Sequence, residues 1–153
     1  MILYLDASAL VKRYVTEPGS PEVNAAISQA DMTGTALIGR AEVSAALAKA
    51  VRTSALTSEE ASASLQAFRN DWPKLVRIQI TEFVVARADA FAWEFGLREY
   101  DAVHLATASV WQDAMDANVT LATFDRALWA SAASVGLIQY PPDLPALLEE
   151  WKR

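Results

Sequence analysis

The chain opens with an apolar run, Met1-Ile2-Leu3-Tyr4-Leu5, that stops at a carboxylate, Asp6. A short continuous run of this kind, bounded by polar residues, fits a strand buried on both faces, which is the strand type of parallel sheets. Parallel strands need crossover segments between them, so the run predicts a chain that alternates strands with helices. Asp6 then falls at the carboxyl end of its strand, the edge where open α/β sheets take their ligands. Ser8 is expected to cap a helix beginning just after it, its hydroxyl accepting from a free amide of the first turn.

A length of 153 residues suffices for one sizeable core, and a single domain over residues 1–153 is expected. Hydrophobic residues make up 53% of the chain against only 5 Gly and 6 Pro, which argues against a long disordered tract. Cys is absent, excluding disulfides, thiolate metal sites and thiol nucleophiles, and pointing to a reducing, cytoplasmic home. The apolar start lacks a basic leader, and no stretch approaches the roughly 18 apolar residues of a membrane span, so no membrane association is expected. With 13 Lys and Arg against 19 Asp and Glu, the net charge of −6 has the wrong sign for gripping nucleic acid by phosphate neutralisation alone. Contact with a polyanion then requires bound cations or a local basic patch.

Ala9, Leu10, Val11, Tyr14 and Val15 recur at helical spacing until Glu17-Pro18-Gly19 breaks the pattern. Ser20-Pro21-Glu22 opens a second helix, with Pro at the first helical position, running to about Ala30. Asp31 to Leu37 reads as a strand weakened by Gly34. From Gly39, the stripe Val43, Ala46, Leu47, Ala50 and Val51 marks an amphipathic helix with Glu42 in its first turn. Thr57-Ser58-Glu59-Glu60 starts another helix that ends near Trp72-Pro73, and Val76 to Ile80 alternates like an edge strand. Thr81 caps a helix over Phe83–Phe95 that Gly96 terminates, and its aromatics Phe83, Phe91, Trp93 and Phe95 read as core. A long helix carries Asp101, Leu105 and Ala108 on one face. Strands are expected over Asn118–Thr123 and Gly136–Tyr140, with a helix from Ala127 to Ser134 between them and a small one from Leu144 to Trp151.

This alternation argues for an α/β fold with a central, mainly parallel sheet covered on both faces. Strand-to-helix turns then share one edge. Asp6 and Asp125 follow strands directly, Glu42 lies one turn into the helix after a strand, and Asp101 is at or near a helix start. Each alone reads equally as a helix cap or a first-turn acid favoured by the helix dipole. Together, carboxylates crowded on one edge repel unless protonated or bridged by cations. Hard oxygen donors without Cys or paired His suit Mg²⁺ or Mn²⁺, ions that orient and activate water against a phosphoryl group. His104, the only His, reads as a structural residue bonded to Asp101 or to backbone. Arg13, Arg40 and Arg98, near the acids in sequence, are candidates for phosphate contacts.

Four segments resemble the PIN domain, and within it the small bacterial VapC-type ribonuclease toxins. They are Leu5-Asp6-Ala7-Ser8-Ala9-Leu10, Arg40-Ala41-Glu42-Val43, Tyr100-Asp101-Ala102-Val103-His104-Leu105-Ala106 and Thr123-Phe124-Asp125. The resemblance implies a three-layer α/β/α sandwich and a metal-dependent endoribonuclease that hydrolyses RNA phosphodiester bonds with Mg²⁺, for which Mn²⁺ can substitute. It also implies a homodimer and a cognate antitoxin that blocks the site. Asp6, Glu42, Asp101 and Asp125 carry over as catalytic, metal-binding acids, with Ser8 and Thr123 supporting the same pocket. The competing expectation is a catalytically inactive PIN-like module that binds RNA or protein. A haloacid-dehalogenase-like phosphotransferase needs a second Asp where Ser8 stands, and a response-regulator receiver needs an acidic pair and a late Lys, so both are set aside.

Overall fold

The computed structural model describes residues 1–153. Five strands, β1 (Ile2–Leu5), β2 (Met32–Ala36), β3 (Val76–Ile78), β4 (Val119–Ala122) and β5 (Ile138–Tyr140), form one sheet in the order β3-β2-β1-β4-β5. Every pairing is parallel. The opening run of the chain is therefore the central strand, and it is apolar throughout because both of its faces are covered. Tyr4 points into one core with Val84, Leu105, Trp111 and Leu121, while Leu3 and Leu5 enter the other with Leu10, Val43 and Phe68. β3 lies at an edge with Arg77 exposed, as its alternating sequence predicts.

Eight α-helices flank the sheet: α1 (Ala7–Leu10), α2 (Ser20–Gln29), α3 (Gly39–Arg52), α4 (Ser58–Asp71), α5 (Glu82–Phe95), α6 (Glu99–Met115), α7 (Arg126–Ser134) and α8 (Leu144–Trp151). Residues of α1, α2, α3 and α4 fill the core of one face, and those of α5, α6 and α7 fill the other, giving an α/β/α sandwich. Local signals hold where the chemistry is local. Thr57 and Glu60 form a reciprocal capping box, Thr81 caps α5, and Gly96 ends α5 in the left-handed region at φ +64°. No helix is long and apolar enough to cross a membrane.

Several expectations change. Ser8 does not cap α1: Asp6 does, accepting from the Ala9 amide, and Ser8 lies inside the helix. α1 is a single turn followed by a 3₁₀ turn over Val11–Arg13, and Pro21 occupies the second rather than the first position of α2. Phe91 and Phe95 pack against the core, but Phe83 is 63% exposed and Trp93 is 93% exposed. α5 carries large apolar residues on two sides, so aromatic spacing alone does not reveal which side packs. The four positions Phe83, Ala86, Ala90 and Trp93, spaced three, four and three residues apart, form one exposed apolar stripe.

Gly34 does not weaken β2 but makes room. A Cβ there would stand 2.9 Å from Trp111 Cη2 and 3.0 Å from the Val76 carbonyl oxygen. Trp111, on α6, packs on the same face of the sheet against Tyr4 with ring centroids 6.4 Å apart. Gly34→Ala is expected to destabilise the fold by about 1–3 kcal/mol through overpacking. Urea denaturation measures this, and an unchanged midpoint would mean that Trp111 shifts without cost.

Candidate active site

The carboxyl edge of the sheet collects the acids for topological reasons. Asp6 follows β1 and Asp125 follows β4, its neighbour. Glu42 lies in the first turn of α3, just beyond β2. α6 must finish at the amino edge because β4 starts there, so its first turn, with Asp101, stands at the carboxyl edge.

Asp6 is 3% exposed, and every oxygen it presents is engaged. Oδ1 accepts from the Ser8 hydroxyl at 2.7 Å and from the Ala9 amide at 2.9 Å, and Oδ2 accepts from the Thr123 hydroxyl at 2.6 Å. The two hydroxyls continue outward: Ser8 Oγ accepts from the Phe124 amide and Thr123 Oγ1 from the Asp125 amide. Ser8 and Thr123 thus tie the β1–α1 turn to the β4–α7 turn through one carboxylate. Burial nevertheless pushes the Asp6 carboxyl above its ordinary range, against the opposing pull of His104 and these hydrogen bonds.

Asp125 caps α7 with Oδ1, accepting from the Leu128 amide at 2.9 Å. Its other oxygen, Oδ2, accepts from Arg98 Nη2 at 3.1 Å, while Arg98 Nε approaches Asp101 Oδ2 at 3.4 Å. One guanidinium thus lies between two of the acids. Asp101 is not a cap: Arg98 holds the cap position of α6, and Asp101 sits at its third residue. Its carboxyl is also raised, first by burial and then by Asp125 and Asp6, with Arg98 opposing. Glu42 accepts from His104 Nε2 at 2.7 Å, and the ring's Nδ1 lies 2.7 Å from Tyr4 Oη. His104 therefore bonds neither Asp101 nor backbone, correcting that expectation. Burial pulls the imidazole down, yet Glu42, Asp6 and Asp101 together carry it above its ordinary value. Of the three arginines, only Arg98 reaches an acid. Arg13 donates to Asn24, and the Arg40 guanidinium lies over the Trp72 ring.

Glu42, Arg98, Glu99, Tyr100 and Asp101 line an open cavity of about 270 Å³. A larger cavity of about 450 Å³, lined by Leu5, Leu10, Ile27 and Leu75 with Asp31 and Asp71 at its polar side, contains none of the four acids. As the side chains stand, no three carboxylates or imidazoles are grouped closely enough to hold one ion. The charges nonetheless call for a cation. The Asp6 carboxyl is raised by burial and that of Asp101 by burial and by the neighbouring acids, and the guanidinium between Asp101 and Asp125 belongs to a side chain that is 79% exposed and free to swing away. Oxygen donors of this kind fit a hard divalent cation.

The sequence profile of the PIN domain matches residues 3–133. The chain belongs to the PIN-domain family. Ribonuclease VapC45 of Mycobacterium tuberculosis is 33% identical over 143 residues, covering 94% of this chain and 97% of that protein. Among solved structures, PAE2754 from Pyrobaculum aerophilum superposes with a TM-score of 0.64 at 21% identity, covering 97% of this chain and 98% of that one. A toxin–antitoxin complex from Klebsiella pneumoniae gives 0.58 at 21% identity, covering 82% and 87%. At these identities the two structures speak for the PIN fold alone.

In this PIN domain the raised carboxyl of Asp101 makes a stability prediction with a definite sign. Between its ordinary pKa and its raised folded value, the folded state binds more protons than the unfolded one, so raising the pH through that window destabilises the fold. Asp101→Asn removes this contribution. In EDTA the variant is expected to match the parent in acid and to equal or exceed its stability near pH 7. Melting temperatures across pH measure the difference, and a variant less stable than the parent at neutral pH would mean that the contact with Arg98 outweighs the repulsion.

Proposed function

We propose that this chain is a divalent-metal-dependent endoribonuclease, the toxin of a toxin–antitoxin pair acting in the cytoplasm, with Asp6, Glu42, Asp101 and Asp125 as its catalytic, metal-binding acids. The observation that carries the reading is the convergence of these four acids on one edge of a PIN fold, with two of their carboxyls raised and an arginine between two of them. The relative named Ribonuclease VapC45, matched over nearly its whole length, supports the same activity.

Mg²⁺ or Mn²⁺ bound among the acids would neutralise the phosphodiester's charge and lower the pKa of an attacking water. The chain's own groups supply the frame. Asp6 is immobilised by Ser8, Thr123 and the Ala9 amide, so it contributes a fixed oxygen rather than a mobile one. Asp125 is held by its cap to α7 and Glu42 by His104. Arg98, exposed and at the rim, is placed to exchange its carboxylate partners for a substrate phosphate.

The seat of Arg98 also indicates how the antitoxin acts. A guanidinium already fits between Asp101 and Asp125, so an arginine from a second protein can fill the same place and block the site. The solved relative described as a toxin–antitoxin complex is consistent with such a partner. For the homodimer, the support is the stripe on α5. Two exposed aromatics flank two alanines at the spacing of a helix–helix seam, large-small-small-large, which reads the same in both directions and so suits a two-fold contact.

Purified protein incubated with total cellular RNA is expected to produce discrete ends in Mg²⁺ and none in EDTA. Asp101→Asn is expected to lower cleavage by orders of magnitude, and full activity in chelator or in this variant would overturn the assignment. Trp93→Arg is expected to convert a dimer to a monomer in analytical ultracentrifugation. An unchanged sedimentation coefficient for that variant would remove α5 from the interface.

A further inference from the structure

We infer that Tyr4 and His104 form a buried relay whose task is to fix Glu42 for metal binding, making His104 a positioning residue rather than packing. The inference rests on the ribonuclease reading of the site and deepens it.

His104 is 2% exposed and Tyr4 fully buried, so their polar atoms bond within the protein and not to solvent, the Tyr4 hydroxyl having the Thr107 hydroxyl and the Ala36 backbone as further neighbours. The phenol sits on β1, the imidazole on α6 and Glu42 on α3. The chain of contacts Tyr4 Oη to His104 Nδ1 and His104 Nε2 to Glu42 Oε1, with both hydrogen bonds 2.7 Å long, therefore joins the central strand to helices from both layers. The direction of the bonds is determined by chemistry. The Glu42 carboxylate can only accept, so the one proton of a neutral ring lies on Nε2, and Nδ1 is left as an acceptor to which the phenol donates. In the doubly protonated ring Nδ1 donates to the phenol oxygen instead, and Nε2 still carries a proton. Glu42 thus accepts from Nε2 in either state.

The need for such a device follows from how differently the acids are held. Asp6 and Asp125 are each bonded to a backbone amide of a helix first turn. Glu42 has no backbone donor, a longer side chain, and a carboxylate only 24% exposed among like charges. Without His104 its rotamers would spread and its carboxylate would turn from the other acids. A ligand oriented by a buried partner gains affinity for the ion without the partner touching it.

The test compares the full-length parent with His104→Phe, His104→Gln and Tyr4→Phe, reading the melting temperature against Mn²⁺ concentration together with kcat and KM for RNA cleavage. His104→Phe is expected to raise the Mn²⁺ midpoint by about 10- to 100-fold, the usual cost of losing a partner that orients a metal ligand. Its kcat should fall while KM for RNA stays unchanged. His104→Gln, whose amide nitrogen can reach Glu42 in place of Nε2, is expected to restore most of the midpoint. Tyr4→Phe, lacking one oxygen, is expected to shift it in the same direction as His104→Phe by less. Loss of general stability would lower the metal-free melting temperature without moving the Mn²⁺ midpoint. A midpoint unchanged in His104→Phe, or a Gln variant as impaired as the Phe one, overturns the relay. If His104→Phe does not fold, Tyr4→Phe decides, and an unshifted midpoint there is equally fatal. A parent that neither cleaves RNA nor responds to Mn²⁺ overturns the ribonuclease reading and the relay with it, whereas a responsive parent with indifferent variants overturns the relay alone.

Discussion

The burial of one carboxylate organises the carboxyl edge of this molecule. Asp6, at the end of the central strand, is removed from water, and an ionised carboxyl in that position is tolerated only if its oxygens are satisfied by other donors. Ser8, Thr123 and the Ala9 amide meet that demand. In doing so they join the turns after β1 and β4, which the parallel ladder alone brings only into proximity. The Asp6 amide extends that ladder by donating to Ala122 O, and Thr35 on the other side donates its hydroxyl to Leu5 O. The end of β1 is thus held from both neighbouring strands at the buried carboxylate.

Around that centre the structure sets hydrogen-bond donors of the chain against the acids. His104 faces Glu42 from below, and Arg98 reaches across from the rim to Asp101 and Asp125. The two differ in permanence. The imidazole is enclosed and bonded at both nitrogens, whereas the guanidinium is mostly in solvent, where its ion pairs are worth little and are easily exchanged. A site arranged in this way has a fixed interior and an exchangeable outer cation.

The exposed face of α5 is a separate constraint. Phe83 and Trp93 sit in water while Val84, Ala88, Phe91 and Phe95 on the same helix pack inward. A helix apolar on both sides gains from covering the second side, and the alternation of large and small residues along the stripe offers the interdigitation that helix packing uses.

The alternation of strands and helices, most caps, and the four acids were legible in the sequence because each is local: a buried strand is an unbroken apolar run, and a cap is a side chain within three residues of its amide. Even there, two adjacent acceptors, Asp6 and Ser8, compete for one cap, and the path of the turn chose Asp6. The packing side of α5 was not legible, since large apolar residues stand on both of its sides and its few charges, Glu82, Arg87, Asp89 and Glu94, do not gather on one face. Gly34 read as an interruption because Trp111, the ring that needs its space, is on a distant element. His104 finds Tyr4 a hundred positions away and Glu42 sixty-two away, and Arg98 bridges to Asp125 across twenty-seven. Such contacts depend on the register of β1 beside β4 and on the direction in which α6 crosses the sheet, and these are properties of the assembled fold rather than of any segment.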